Sequence, residues 1–205
     1  MSENDFTPAC ESGEVFKEAV CIDAMRIYDS CSAKDCIEDV RVLFPAEVRP
    51  ILDNACSVRV RDIDVLSVYI DMQPNPFNRG YYSIDMTFFF DVCLEVGSST
   101  LPGYERIRGV SVFNKKAILF GSEGNAKVFS SDDCEEVLVQ SNRIVPKATV
   151  QVAKPVALSV KLCDCGCRCG CEPCSVIPES IAKQFPGTID TAAQGNCVYV
   201  SNFRL

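Results

Sequence analysis

The longest regular pattern in the chain is YYSIDMTFFFDVCLEV, residues 81–96. Tyr82, Ile84, Met86, Phe88, Phe90, Val92, Leu94 and Val96 are apolar, while Ser83, Asp85, Thr87, Asp91 and Glu95 are polar. Eight matches to a period of two define a strand with one buried face, because a helix would bring its apolar side back only every 3.6 residues. Phe89 and Cys93 interrupt the polar face. SVRVRDIDVLSVYIDM, residues 57–72, has Val58 and Val60 and then, after an expected bulge near Asp62, Leu66, Val68, Ile70 and Met72. The intervening QPNPFNRG is rich in turn formers, so the two runs are expected to form a long antiparallel hairpin. Arms of about 50 Å, at ~3.3 Å per residue, call for bends or bulges.

The rest of the pattern is also mostly strand. CIEDVRVLF (36–44) puts Val40, Val42 and Phe44 on one face and stops at Pro45, after which PAEVRPILDNA is a short helix or turn limited by Pro50. Further strands are expected at 106–114, 117–120, 126–129 and 136–140, with Ser122–Asn125 as a hairpin turn. KATVQVAKPVALSVKLC gives two strand-like pieces, and Pro155 marks the second as an edge strand. CVYVSNFRL is a last strand. FKEAVCIDAMRIYD (16–29) fits neither period well and is assigned to strand by its β-rich context. The expected fold is all-β, an antiparallel β-sandwich. It divides into a mobile N-terminal arm (1–15), a sandwich body (16–162), a Cys-rich segment (163–175) and a C-terminal linker with the last strand (176–205).

Composition narrows the chemistry. The chain has no His, which removes the usual general base, the Ser-His and Cys-His nucleophiles and every imidazole metal site. No catalytic residues are assigned, and the chain is not expected to be an enzyme. Net charge is −8 and uneven. Residues 141–205 carry seven Lys and Arg against four acids, leaving thirteen against twenty-four in residues 1–140. An acidic body offers no basic stripe for nucleic acid or anionic membranes, so neither is an expected partner. The first twenty residues show no basic and apolar leader, so synthesis in the cytoplasm without a signal peptide is expected.

Fourteen cysteines sit awkwardly with that location, where thiols are kept reduced. Six fall in CDCGCRCGCEPC: Cys163, Cys165, Cys167, Cys169, Cys171 and Cys174. Along an extended backbone the five alternating sulfurs share one side, with neighbouring Cα atoms roughly 6.5–7 Å apart, at or past the limit for an unstrained disulfide. They are therefore suited to partners outside the row. One alternative is an all-thiolate site for Zn or Cu using these six residues, whose C-x-C spacing resembles a metallothionein fragment. Eight further scattered cysteines favour the other alternative, cross-linking between copies through Cys10 in the arm and the six row cysteines, with no cofactor. Cys21, Cys56 and Cys93 are expected to be packed as small apolar residues.

FKEAVCIDAMRIYDSCSAKDCIEDVRV, PFNRGYYSIDMTFFFDVCLEV and SVFNKKAILFGSEGNAKVFSS resemble a family of uncharacterised, cysteine-rich proteins of spore-forming clostridia and other Firmicutes. The resemblance brings no catalytic residues. By analogy with coat, exosporium and appendage proteins, it implies a structural subunit that is made without a signal peptide. Such a subunit associates with itself into a filament or layer, becomes disulfide-linked and is deposited on the spore surface.

Overall fold

The computed structural model describes residues 22, 24, 26–98, 103–122, 146–164, 176–191 and 196–205. Its strands are β1 (Cys36–Ile37), β2 (Val40–Leu43), β3 (Ala55–Pro74), β4 (Tyr81–Ser98), β5 (Tyr104–Phe120), β6 (Val156–Asp164) and β7 (Asn196–Arg204). All pairings are antiparallel. A 3-10 turn at Ala46–Val48 and the short helix α1 (Arg49–Asp53) follow β2, as the prolines there predict. A second short helix, α2 (Glu179–Ala182), precedes β7. The expected runs at 126–129 and 136–140 and most of the turn at 122–125 lie outside the described residues.

The seven strands form one sheet. β3, β4 and β5 make a long meander, β5 continues to β2, and β7 pairs with β1 and β2 on one side and with β6 on the other. β6 at one end approaches β3 at the other, and Lys154, just before β6, ion-pairs with Asp62 of β3 at 2.9 Å. The expected two layers thus come from a single sheet curled over one core. That core takes Phe88, Phe90, Val92 and Leu94 from β4, Ile63 from β3, Ile107 from β5, and Val198, Val200 and Phe203 from β7. Phe90 and Phe203 meet edge to face, 4.8 Å between ring centres.

β4 and β5 pair without a register shift from Tyr81↔Phe120 to Gly97↔Tyr104. The two runs expected at 106–114 and 117–120 are therefore one strand. The break in the apolar pattern is Lys115–Lys116, and each lysine finds an acid: Lys115 pairs with Asp35 and Lys116 with Asp85. β3 carries shifts between Ala55 and Ser57, between Val60 and Asp62, and between Val65 and Ser67. The middle one is the expected bulge. Each inserted residue flips the alternation, so Val58, Val60, Ile63, Val65, Val68 and Met72 face the core, while Leu66 packs on the opposite face.

That opposite face explains Phe89, only 1% exposed. Within the stretch read as linker, Ile177, Ile181, Phe185 and Ile189 fold back and cover Phe89, Leu43, Val110 and Leu66 in a second apolar cluster. Tyr69 lies edge to face with Phe89 and its hydroxyl is 2.6 Å from that of Ser180. Beyond the covered patch, towards the end of β4, the same face is charged, with Asp91–Arg108 and Glu95–Arg61 ion pairs.

Two stretches with strand-like sequence are extended but have no ladder partner among the described residues. In 146–155, Ala148, Val150 and Val152 pack on the core while their alternates face solvent. Before β1, Asp29 accepts the Phe120 amide with its carboxylate at 3.0 Å, where a strand would use a main-chain carbonyl. Residues 26–29 are accordingly not the strand expected there.

Gly109 sets the approach of β2 to β5. A Cβ at this position would stand 2.7 Å from the Leu43 carbonyl oxygen and 2.7 Å from Val42 Cγ1. The Leu43 carbonyl is part of the ladder and cannot rotate away. Gly109→Ala is therefore expected to cost about 1–3 kcal/mol by overpacking, seen as a lower urea midpoint at unchanged slope.

Candidate cross-linking site

β6 alternates around the core, with Val160 and Leu162 inward and Ser159, Lys161 and Cys163 on its other side. Opposite them in β7 the register places Ser201, Tyr199 and Cys197. Cys163 and Cys197 are thus direct cross-strand partners. Cys163 is half-buried with a free thiol, whereas Cys197 is 4% exposed and disulfide-bonded. Of the seven cysteines read as cross-linking residues, Cys163 is the one the structure places. Cys10, Cys165, Cys167, Cys169, Cys171 and Cys174 lie outside the described residues. The row nevertheless starts at a fixed point, the end of β6, and the chain re-emerges at Val176 just before the segment that packs on the second face.

Three more free thiols are exposed: Cys31, Cys36 and Cys56. For Cys56 this corrects the expectation of a packed side chain. It is the extra residue of the first β3 bulge, between Ala55 and Ser57, so its side chain leaves the alternation at the margin of the sheet. Cys36 belongs to β1, which pairs over two residues, and Cys31 precedes it in the extended segment. Cys93 is half-buried with a free thiol, on the charged face near Arg108. Cys21 lies outside the described residues.

A polar cluster borders Cys163. β1 and β2 are separated at Glu38–Asp39, opposite Ser201–Asn202 of β7, and Asp39 and Asn202 both take the left-handed conformation, each with φ of 53°. Asp and Asn tolerate that region better than most residues. Asp39 Oδ1 accepts from Lys161 Nζ at 2.7 Å and from Ser201 Oγ at 2.5 Å. The hydrogen bond from Lys161, joined by that from Ser201, holds the Asp39 carboxyl below its ordinary pKa, and the Asp39 carboxylate holds Lys161 above its own. Lys161 therefore stays protonated and supplies no base to Ser201. It does keep a cation two residues from Cys163 on the same face.

A small cavity lies on the other flank, lined by Arg41, Arg49, Asp190 and Cys197 among others and about large enough for one water molecule. Arg49 Nη1 donates to the Asn196 carbonyl at 3.3 Å. Among the described residues no three Cys, Asp or Glu side chains gather as a metal site. The ligands of the all-thiolate alternative fall largely outside them, so this observation does not weigh on it.

The Asp39 carboxyl has a depressed pKa when folded, so its contribution to stability is present above the ordinary carboxyl value of about 4 and disappears as pH falls through the folded value. Asp39→Asn keeps a residue tolerant of the left-handed conformation but removes the charge. Its Tm is expected to lie below that of the parent at neutral pH, and the gap to narrow as pH drops below about 4. Asp39→Ala adds a backbone penalty of about 1–2 kcal/mol that persists at every pH. Thermal melts across the acid range check both.

No family model matches the chain, and no curated protein or solved structure matches it either.

Proposed function

We propose that this protein is a structural subunit that assembles with copies of itself into a filament or two-dimensional layer. In this reading the copies are joined by strand pairing at sheet edges and by disulfides between subunits, and the setting is the surface of a bacterial spore. The observation that carries it is the placement of free thiols. Cys31, Cys36 and Cys56 are all solvent-exposed, Cys36 in the two-residue β1, Cys56 at the first bulge of β3 and Cys31 in the segment before β1. Free cysteine is among the most buried residue types, and exposed thiols are a hazard to a protein that stays monomeric. In a subunit meant to be cross-linked they are the reactive groups. They add to the set formed by Cys10 and the row.

The sheet offers two ends for strand addition. β3 is blunted by its three bulges and by Arg59, Arg61, Asp62 and Asp64, features that discourage edge pairing. β6 instead exposes Val156 and Leu158. The arm of residues 1–15 from a neighbour is the favoured donor strand, joined to a sheet edge by main-chain hydrogen bonds.

Negative-stain microscopy and gel electrophoresis of the purified chain test this directly. Ordered polymers are expected, resisting detergent without reductant and falling to monomer with it. The combined variant Cys31→Ser, Cys36→Ser, Cys56→Ser should shift the non-reducing ladder towards smaller species. Monomer alone, with and without reductant, would sink the reading.

A further inference from the structure

Two extended segments run on past the line of β7, one on each side of it. Arg204 lies opposite Cys36 on one side and Val156 on the other, and Leu205 exchanges both main-chain hydrogen bonds with Asp35 at 3.0 Å. Continuing that register outward sets Lys34 across from Lys154 and Arg26 across from Pro146. Both flanks are held in place. Asp29 and Asp35 tie 26–35 to Phe120 and Lys115 of β5, while Ala148, Val150 and Val152 pack on the core. We propose that the place between the two flanks, in line with β7, is an acceptor site for one β-strand, and that its occupant is the arm of residues 1–15 of a second copy. The inference rests on the assembly reading above and gives it a docking site.

The main chain carries the argument. Apart from the Ser30 amide, which donates to the Asp29 carboxylate at 2.8 Å, no main-chain N–H or C=O of 26–34 or 146–154 has a hydrogen-bond partner among the described residues. A half-buried main chain without partners is costly, and 146–154 is half-buried along its apolar side. Alternation decides which groups face the site. Leu205 turns its main chain to Asp35, so Arg204 turns its own to Val156. The groups aimed across the line of β7 are then those of Ala148, Val150 and Val152 on one flank and of Ile27, Asp29, Cys31 and Ala33 on the other. Pro155, which has no N–H, falls on a position facing away. An incoming strand would pair on both sides and would cover Ile27, now 82% exposed.

Charge selects the occupant. The flanks carry Arg26, Lys34, Lys147 and Lys154 against the single acid Asp29. Residues 1–15 carry Glu3, Asp5, Glu11 and Glu14 and no Lys or Arg. Pro8 is excluded from a strand paired on both sides, so the paired stretch begins at Ala9. The site is about 30 Å long at ~3.3 Å per residue, and the strand in it runs in the direction of β7, antiparallel to both flanks. For a chain to fill its own site it would have to reverse within IDAM, residues 22–25, which has no Gly, Pro or Asn. A second copy needs no such turn.

The sample is the full chain in reductant, restricted to its monomer fraction, and the probe is a synthetic peptide of residues 1–15. Hydrogen exchange is followed by mass spectrometry in fragments covering 27–33 and 147–153. Both are expected to exchange fast without peptide and about tenfold slower or more at saturating peptide. A scrambled peptide of the same composition should change neither. Ala33→Pro removes one site-facing N–H that has no partner in the monomer, so its Tm should match the parent's while peptide binding weakens roughly 2- to 10-fold, the loss of one hydrogen bond. Three results would overturn the proposal: protection already present without peptide, no protection at any peptide concentration, or equal protection by the scrambled peptide. The parent measurement needs no variant, so a folding defect in Ala33→Pro leaves it decisive. Polymers whose 147–153 amides still exchange at the monomer rate sink the site and leave the assembly reading standing. Peptide protection in a chain that never polymerises does the reverse.

Discussion

The sheet depends on its last strand. β7 pairs along one side with β1 and β2 and along the other with β6, so residues from the beginning, the late middle and the end of the chain meet in adjacent ladders. Without it, β6 would have no ladder partner among the described residues and the core would lose Val198, Val200 and Phe203. Most of this contact is distant in sequence, and closing such pairs costs chain entropy before it is rewarded. The meander of β3, β4 and β5 is the local part of the fold, and β7 is the part that completes it. Small substitutions beside β7 are therefore felt across several strands, while changes in the β3–β4 loop affect one hairpin.

The long way from β6 to β7 is also explained by this arrangement. Antiparallel neighbours can be joined by two residues, yet here the chain between Asp164 and Asn196 leaves the ladder and crosses to the second face of the meander. Ile177, Ile181, Phe185 and Ile189 bury Phe89 there. The Cys row occupies the first part of that excursion. One anchor is the β6–β7 ladder and the other is the apolar cluster around Phe89.

Much of the fold was legible because the strands obey a period of two wherever one face is buried. The core face of β4 was legible from Ile84 to Val96, as was the bulge near Asp62. Phe89 was not, since its partners lie about ninety positions later and alternation says nothing of what covers the other face. Residues 146–155 show the reverse limit: Ala148, Val150 and Val152 alternate as in a strand, but the pattern reports an apolar side, not a paired backbone. Cys56 was misread because a bulge reverses the side on which a residue emerges, and only the partner strand reveals it. The Cys163–Cys197 pair did leave a signal. Read towards each other, VKLC (160–163) and CVYV (197–200) align apolar positions on one face, and that alignment forces cysteine opposite cysteine. It was hidden by treating the row as a unit that ends the body, when its first member belongs to a strand.

The size of the core bears on what the sulfur is for. In a small secreted domain, disulfides replace a core too small to hold the chain together. Here Phe88, Phe90, Val92 and Leu94 of one strand already meet residues from β2, β3, β5 and β7, and a second cluster covers the other face. Surface ion pairs such as Lys116–Asp85 add little to that, typically no more than about 1 kcal/mol each. A fold secured by apolar burial has no need to keep its thiols locked in one pairing. Exposed free thiols such as Cys36 and Cys56 are therefore compatible with stability, because changing which sulfurs are joined need not change which side chains are buried. That separation leaves the fold settled whichever sulfurs are joined.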